Sequence, residues 1–138
     1  ISKQNCFLDT VKQDYINYRI NSAKETLEAA RLLAENKHWN SAINRLYYSC
    51  FYIISALLYK YDINANSHAG LKHQFTLHFI KSGLIDKELG RVFVELFDWR
   101  QKGDYGDFYD FDEEKTMPLF NPVETLITTI ESLITDKI

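Results

Sequence analysis

Apolar positions along this chain recur mostly at three- and four-residue steps, the spacing of one face of an α-helix, and they predict five helical segments. The first covers residues 10–36, with Tyr15, Tyr18, Ala23, Leu27, Ala30 and Leu33/Ala34 inward, and ends where Asn36, Lys37 and His38 suit a helix C-terminus. The second opens at Trp39 or Asn40, with Asn40 as N-cap, and runs to about residue 61. Ile43, Leu46, Tyr47, Cys50, Ile54, Leu57 and Tyr61 form its stripe. Beyond Tyr47 it is apolar nearly all round, as suits the central helix of a bundle.

Punctuation divides the remainder. Asn, Ser and Gly mark residues 62–70 as a loop, and a third helix covers 71–82, closed by Gly83. Asp86 caps a fourth helix reaching Lys102, with Leu89, Val92, Phe93, Leu96 and Trp99 inward and Gly103 as its stop. The last helix starts at Asn121, where Asn-Pro-Val-Glu supplies a cap, a first-turn proline and a glutamate at N3, and reaches Lys137. Residues 112–117 add a short turn before Pro118. No repeat or linker interrupts this order. The expected fold is all-α: one domain over residues 1–138, a single up-and-down bundle of four to five helices.

Composition agrees with helices and narrows the setting. A chain of 138 residues that is 46% hydrophobic can bury a core without disulfides or metal, and five glycines with two prolines leave little for a turn-rich β fold. Cys6 and Cys50 have no partner motif and read as reduced thiols of a cytoplasmic protein. The longest apolar run, residues 50–59, is about half a bilayer span, and no leader pattern opens the chain, so no membrane association is expected. Because the chain opens on Ile1, a removed leader or upstream segment stays open.

The net charge of −3 conceals an asymmetry. Residues 1–102 hold 14 Lys/Arg against 10 Asp/Glu, whereas residues 103–138 hold 2 against 9. No broad cationic surface is advertised, so any contact with RNA or a nucleotide must be local.

Three groups of residues carry candidate chemistry. Arg100 ends the fourth helix just before Asp104 and Tyr105, and it reads as a structural clamp on Asp104 or Asp98, a phosphate contact, or a catalytic cation. Asn44, Arg45 and Tyr48 put polar atoms on the otherwise apolar second helix, where each must find a partner; they read as an internal network toward the Arg100 helix or as the floor of a phosphate or base pocket. His68, His73 and His78 are spaced too widely for the i, i+4 pair that holds zinc, so neither metal nor another cofactor is expected. His68 in the loop and His73 beyond it read as capping or surface residues, with recruitment to an active site as the alternative.

Three segments in register, residues 41–58 (SAINRLYYSCFYIISALL), 66–85 (NSHAGLKHQFTLHFIKSGLI) and 99–108 (WRQKGDYGDF), resemble the HEPN superfamily, the higher eukaryotes and prokaryotes nucleotide-binding domain. More narrowly, they resemble a prokaryotic branch marked by Arg, three residues, then Asp-Tyr. The likeness covers roughly residues 20–135. It implies a helical bundle, a homodimer, RNA or a nucleotide as ligand, and a nucleotidyltransferase-type antitoxin partner in a toxin–antitoxin or defence setting. It also implies metal-independent ribonuclease chemistry, in which an arginine is followed after four to six residues by a histidine. Arg100 matches that arginine, but no histidine follows, and Asp104, Tyr105 and Gly106 stand there instead.

The departure matters because cleavage through the 2′-hydroxyl needs an acid and base titrating near the working pH, with a cation for the charge on phosphorus. Carboxylates near pKa ~4 and phenols near ~10 are poor substitutes. Two readings therefore stay open: an RNA- or nucleotide-directed toxin-like protein, and a non-catalytic interaction or dimerisation module on the same bundle. The nine tyrosines and nine phenylalanines favour a C2 dimer through the second and fourth helices.

Overall fold

The computed structural model describes residues 3–105 and 110–136, and the side chains of 8–101 and 110–136. All regular elements among these residues are helical: α1 (Lys3–Glu35), α2 (Trp39–Lys60), α3 (His68–Phe75), α4 (Lys87–Tyr105), α5 (Glu113–Thr116) and α6 (Phe120–Thr135). A π-helical turn, Thr76–Ile80, extends α3, and a 3-10 turn, Met117–Leu119, joins α5 to α6. The expected all-α bundle is what the chain builds.

α2 is its axis. Leu46, Tyr47, Cys50, Ile53, Ile54, Ala56 and Leu57 are all fully buried, and α1, α4 and α6 each pack against this helix. α1 contributes Ile16, Ile20, Ala23, Leu27, Ala30 and Ala34, a regular alternation of four- and three-residue steps. Tyr18, expected inward, is 64% exposed. It flanks the true stripe, which is built of smaller side chains that let α1 and α2 approach closely.

Several ends differ from the local signals. Asn40 does not cap α2: its Oδ1 accepts from the Phe111 N–H at 2.8 Å, so the amide ties α2 to the segment before α5. Ser67 caps α3, accepting from the Gly70 N–H at 2.9 Å, and the helix starts at His68, three residues earlier than expected. Gly83 takes the expected left-handed conformation, at φ +83°, just after the π-helical turn that extends α3. Asp86 caps α4 through the Glu88 N–H. α4 then runs through Gly103 to Tyr105, because one helical glycine costs only about 1 kcal/mol relative to alanine. Asn121 lies inside α6, whose N-cap position is Leu119 with no side-chain cap; the side-chain cap in this region is on α5, where the Asp112 carboxylate accepts from the Lys115 N–H at 2.9 Å.

Burial at the axis predicts an alkaline weakness. Burial pushes the Cys50 thiol from 9.0 up to about 12, and it also raises the Tyr47 hydroxyl above its ordinary value. Both groups favour the protonated form in the folded chain, so their contribution is intact below pH ~9 and lost as pH rises through the range to ~12. Unfolding free energy should fall by about 2–3 kcal/mol from Cys50 alone between pH 8 and 11, and Cys50→Ala should flatten that part of the curve. Denaturant titrations at the two pH values measure it, and identical slopes in both proteins would contradict it.

Candidate functional site

The polar residues of α2 and the arginine of α4 meet at one cluster of rings. α4 lies against α2 so that the Arg100 guanidinium carbon stands 5.4 Å from the Tyr47 ring centre and 5.5 Å from that of Tyr48. From the adjacent turn of α2, Arg45 places its own guanidinium 5.1 Å from the Tyr48 ring. Asn44 fixes it there: its Oδ1 accepts from Arg45 Nη2 at 2.8 Å and from Nε at 3.2 Å. Tyr47 and Tyr48 cross nearly at right angles, at 81°, with centres 5.2 Å apart. Two cations thus share one half-buried ring whose electron-rich face offsets their mutual repulsion.

His68 completes the cluster from α3. Its Nδ1 lies 2.7 Å from the Tyr47 hydroxyl, its ring stacks on Phe51 at 4.5 Å, and it stands perpendicular to Tyr48 at 5.9 Å. Burial raises the Tyr47 hydroxyl most strongly, and Arg100 lowers it less, so Tyr47 keeps its proton. Either the hydroxyl donates to Nδ1, with the imidazole proton on Nε2, or Nδ1–H donates to the hydroxyl oxygen, which places the ring's lone pair on Nε2. Phe93 backs the site, lying nearly parallel to Tyr47 (11°, 5.7 Å), and Lys72 caps the neighbouring Phe97 ring at 4.3 Å.

The expected residues therefore divide. Asn44, Arg45, Tyr48, His68 and Arg100 come together. His68 is neither a cap nor a surface residue, the cap being Ser67. His73 is exposed on α3, and among the described residues it takes no part in the cluster. Positions 104 and 105 follow Arg100 by about one turn of α4, and their side chains fall outside the described residues. Gly106 lies outside them altogether. The α2–α4 link expected from the Asn44 group exists, but through rings and cations. Tyr47 and Phe51 were missed as site residues because both fit the apolar pattern of α2; the visible signal was a phenolic hydroxyl in a core stripe, which needs a partner.

The all-helical bundle, with Arg100 near the end of α4, agrees with the resemblance to the HEPN superfamily. The chain belongs to the HEPN domain family, which it matches over residues 16–133. It is 38% identical over 125 residues to a UPF0332 protein of Thermotoga maritima, covering 91% of this chain and 95% of that one. It is also similar to two proteins of Methanocaldococcus jannaschii. One, named "Putative toxin MJ0605", is 35% identical over 102 residues, 74% of this chain and 76% of its own. The other, "Putative toxin MJ0142", is 34% identical over 96 residues, 70% of this chain and 65% of its own. No helix among the described residues is long and apolar enough to cross a membrane.

Proposed function

We propose that this chain is an RNA- or nucleotide-directed HEPN protein of the toxin-like kind, whose ligand meets the cluster around Tyr48. The observation that carries this reading is the pair of guanidinium groups on one tyrosine ring with an imidazole perpendicular to it. Guanidinium forks match phosphate oxygens, and tyrosine faces stack on bases. The names of the two Methanocaldococcus relatives support the toxin-like setting.

His68 supplies what α4 lacks. Imidazole is the side chain that ordinarily titrates near neutral pH, and in this one Nδ1 faces the Tyr47 hydroxyl. In cleavage, the 2′-oxygen bonds to phosphorus as the bond to the 5′-oxygen breaks, and Arg100 meets the charge on phosphorus. His68, in the tautomer that donates Nδ1–H to the Tyr47 oxygen, takes the 2′ proton on Nε2; the departing oxygen takes one from water, and the imidazolium returns its proton to the hydroxide so formed. Asp104 and Tyr105, beyond Arg100, belong to the same proposed site. A nucleotidyltransferase-type antitoxin is the partner this reading calls for, and a homodimer through α2 and α4 would set two such clusters side by side. Sedimentation as a monomer at ~10 μM would contradict the dimer.

The test is incubation of single-stranded RNA with the protein in EDTA. His68→Gln should abolish cleavage and leave binding within about threefold, since it removes the titrating group and keeps a polar side chain. Binding without cleavage by the unaltered protein would favour the second reading, a non-catalytic module. The absence of both binding and cleavage would overturn the proposal.

A further inference from the structure

The five arginines divide into two kinds. Arg31 bonds to Glu124, and Arg91 pairs with Glu88 at 2.6 Å. Arg19, Arg45 and Arg100 instead lie over tyrosine rings. Arg19 is the most enclosed by rings: its guanidinium carbon is 5.3 Å from the Tyr15 ring, 5.7 Å from Tyr18 and 5.2 Å from Tyr52. Its Nε donates to the Tyr15 hydroxyl at 3.0 Å, and among the described residues it forms no ion pair. Four of its five N–H donors are thus left for an outside acceptor, on a cation already held in place.

This second cation is continuous with the first cluster. Arg45, Tyr48 and Tyr52 occupy positions i, i+3 and i+7 of α2 and so share a face. The Tyr48 and Tyr52 rings are 6.0 Å apart, and Arg19 meets Tyr52 from α1. Guanidiniums and tyrosine rings therefore form a contiguous series from Arg100 through Tyr48, Tyr52 and Arg19 to Tyr18, whose ring is 64% exposed. A row of cations with stacking faces between them suits a flexible phosphate chain carrying bases, whereas a folded protein surface would ask for a continuous apolar centre.

We infer that Arg19, with Tyr15, Tyr18 and Tyr52, forms a second binding station for single-stranded RNA, holding nucleotides that run on from the Arg100 cluster. This inference rests on the reading of that cluster as a phosphate site. Arg19 and Tyr18 stand on α1, outside the α2–α4 pair proposed for the dimer.

A uridine decanucleotide and uridine monophosphate separate the two sites. Arg19→Gln and Tyr18→Ala should each weaken the decanucleotide about tenfold and leave the monophosphate unchanged, because only the longer ligand reaches α1. Tyr18→Ala alters an exposed ring, so it tests the station even if Arg19→Gln fails to fold. Unchanged decanucleotide affinity in the folded variants, with binding lost in Arg100→Ala, would overturn the station alone. Decanucleotide binding that survives Arg100→Ala would overturn the reading on which the station depends. A lower sedimentation coefficient in Arg19→Gln would make the patch a subunit interface and overturn the inference as well.

Discussion

Arg100→Ala should weaken single-stranded RNA binding about 100-fold, while its two ring contacts alone account for about 1–2 kcal/mol of unfolding free energy. The guanidinium rests on Tyr47 and Tyr48, and contacts of a half-buried cation with aromatic rings are worth about 0.5–1 kcal/mol each. Two charge-assisted hydrogen bonds to a phosphate would supply about 1.5–3 kcal/mol each, and every ~1.4 kcal/mol is a factor of ten. A clamp on a buried carboxylate would show the opposite balance, a stability loss of about 3–5 kcal/mol. Asp98, one of the two clamp partners expected from the sequence, is exposed. Anisotropy titration beside urea unfolding distinguishes the cases. A large stability loss with unchanged binding would return Arg100 to a structural role.

Phe93→Ala should be the most destabilising single change at the site, by about 3–5 kcal/mol. The ring is fully buried, stacked on Tyr47 and perpendicular to Phe75 at 5.9 Å, so truncation opens a cavity between α2, α3 and α4. A chain of this size typically has about 5–15 kcal/mol of stability to lose. Tyr47 would lose the surface that orients it toward His68, and RNA affinity should fall in whatever fraction stays folded. Urea unfolding measures the first effect; a loss below about 1 kcal/mol would mean that the site has a different support.

How far the sequence shows all this depends on the range of the interaction concerned. Five helical segments follow from apolar period and local punctuation, because burying a stripe against α2 is the dominant favourable term and the stripe is visible one turn at a time. Tyr18 was misplaced because tyrosine at a three-residue step from Tyr15 fits the pattern, although the regular series Ile16, Ile20, Ala23, Leu27, Ala30 and Ala34 is the one that packs. Helix ends were less legible. Asn40 and Asn121 have good capping chemistry, yet Asn40 bonds to Phe111, 71 residues away, and α6 is already under way before Asn121.

The site was half readable for the same reason. Asn44, Arg45 and Tyr48 stood out as polar atoms on an apolar helix, and Arg100 stood out by its motif. The link between Tyr47 and His68 spans 21 residues and a change of helix, which periodicity does not record. Capping residues near His68 drew attention to the loop, while the bond that places the imidazole comes from the core.

Salt dependence of single-stranded RNA binding tests the phosphate role of the ring-seated arginines most directly. Each phosphate neutralised contributes a slope of about −0.7 to log K against log salt concentration. Arg100, Arg45 and Arg19 together predict a slope of about −2 for the unaltered protein, falling to about −0.7 when Arg45→Ala and Arg100→Ala are combined. A slope unchanged by that double substitution, or one near zero at the outset, would contradict the reading of these arginines as phosphate ligands.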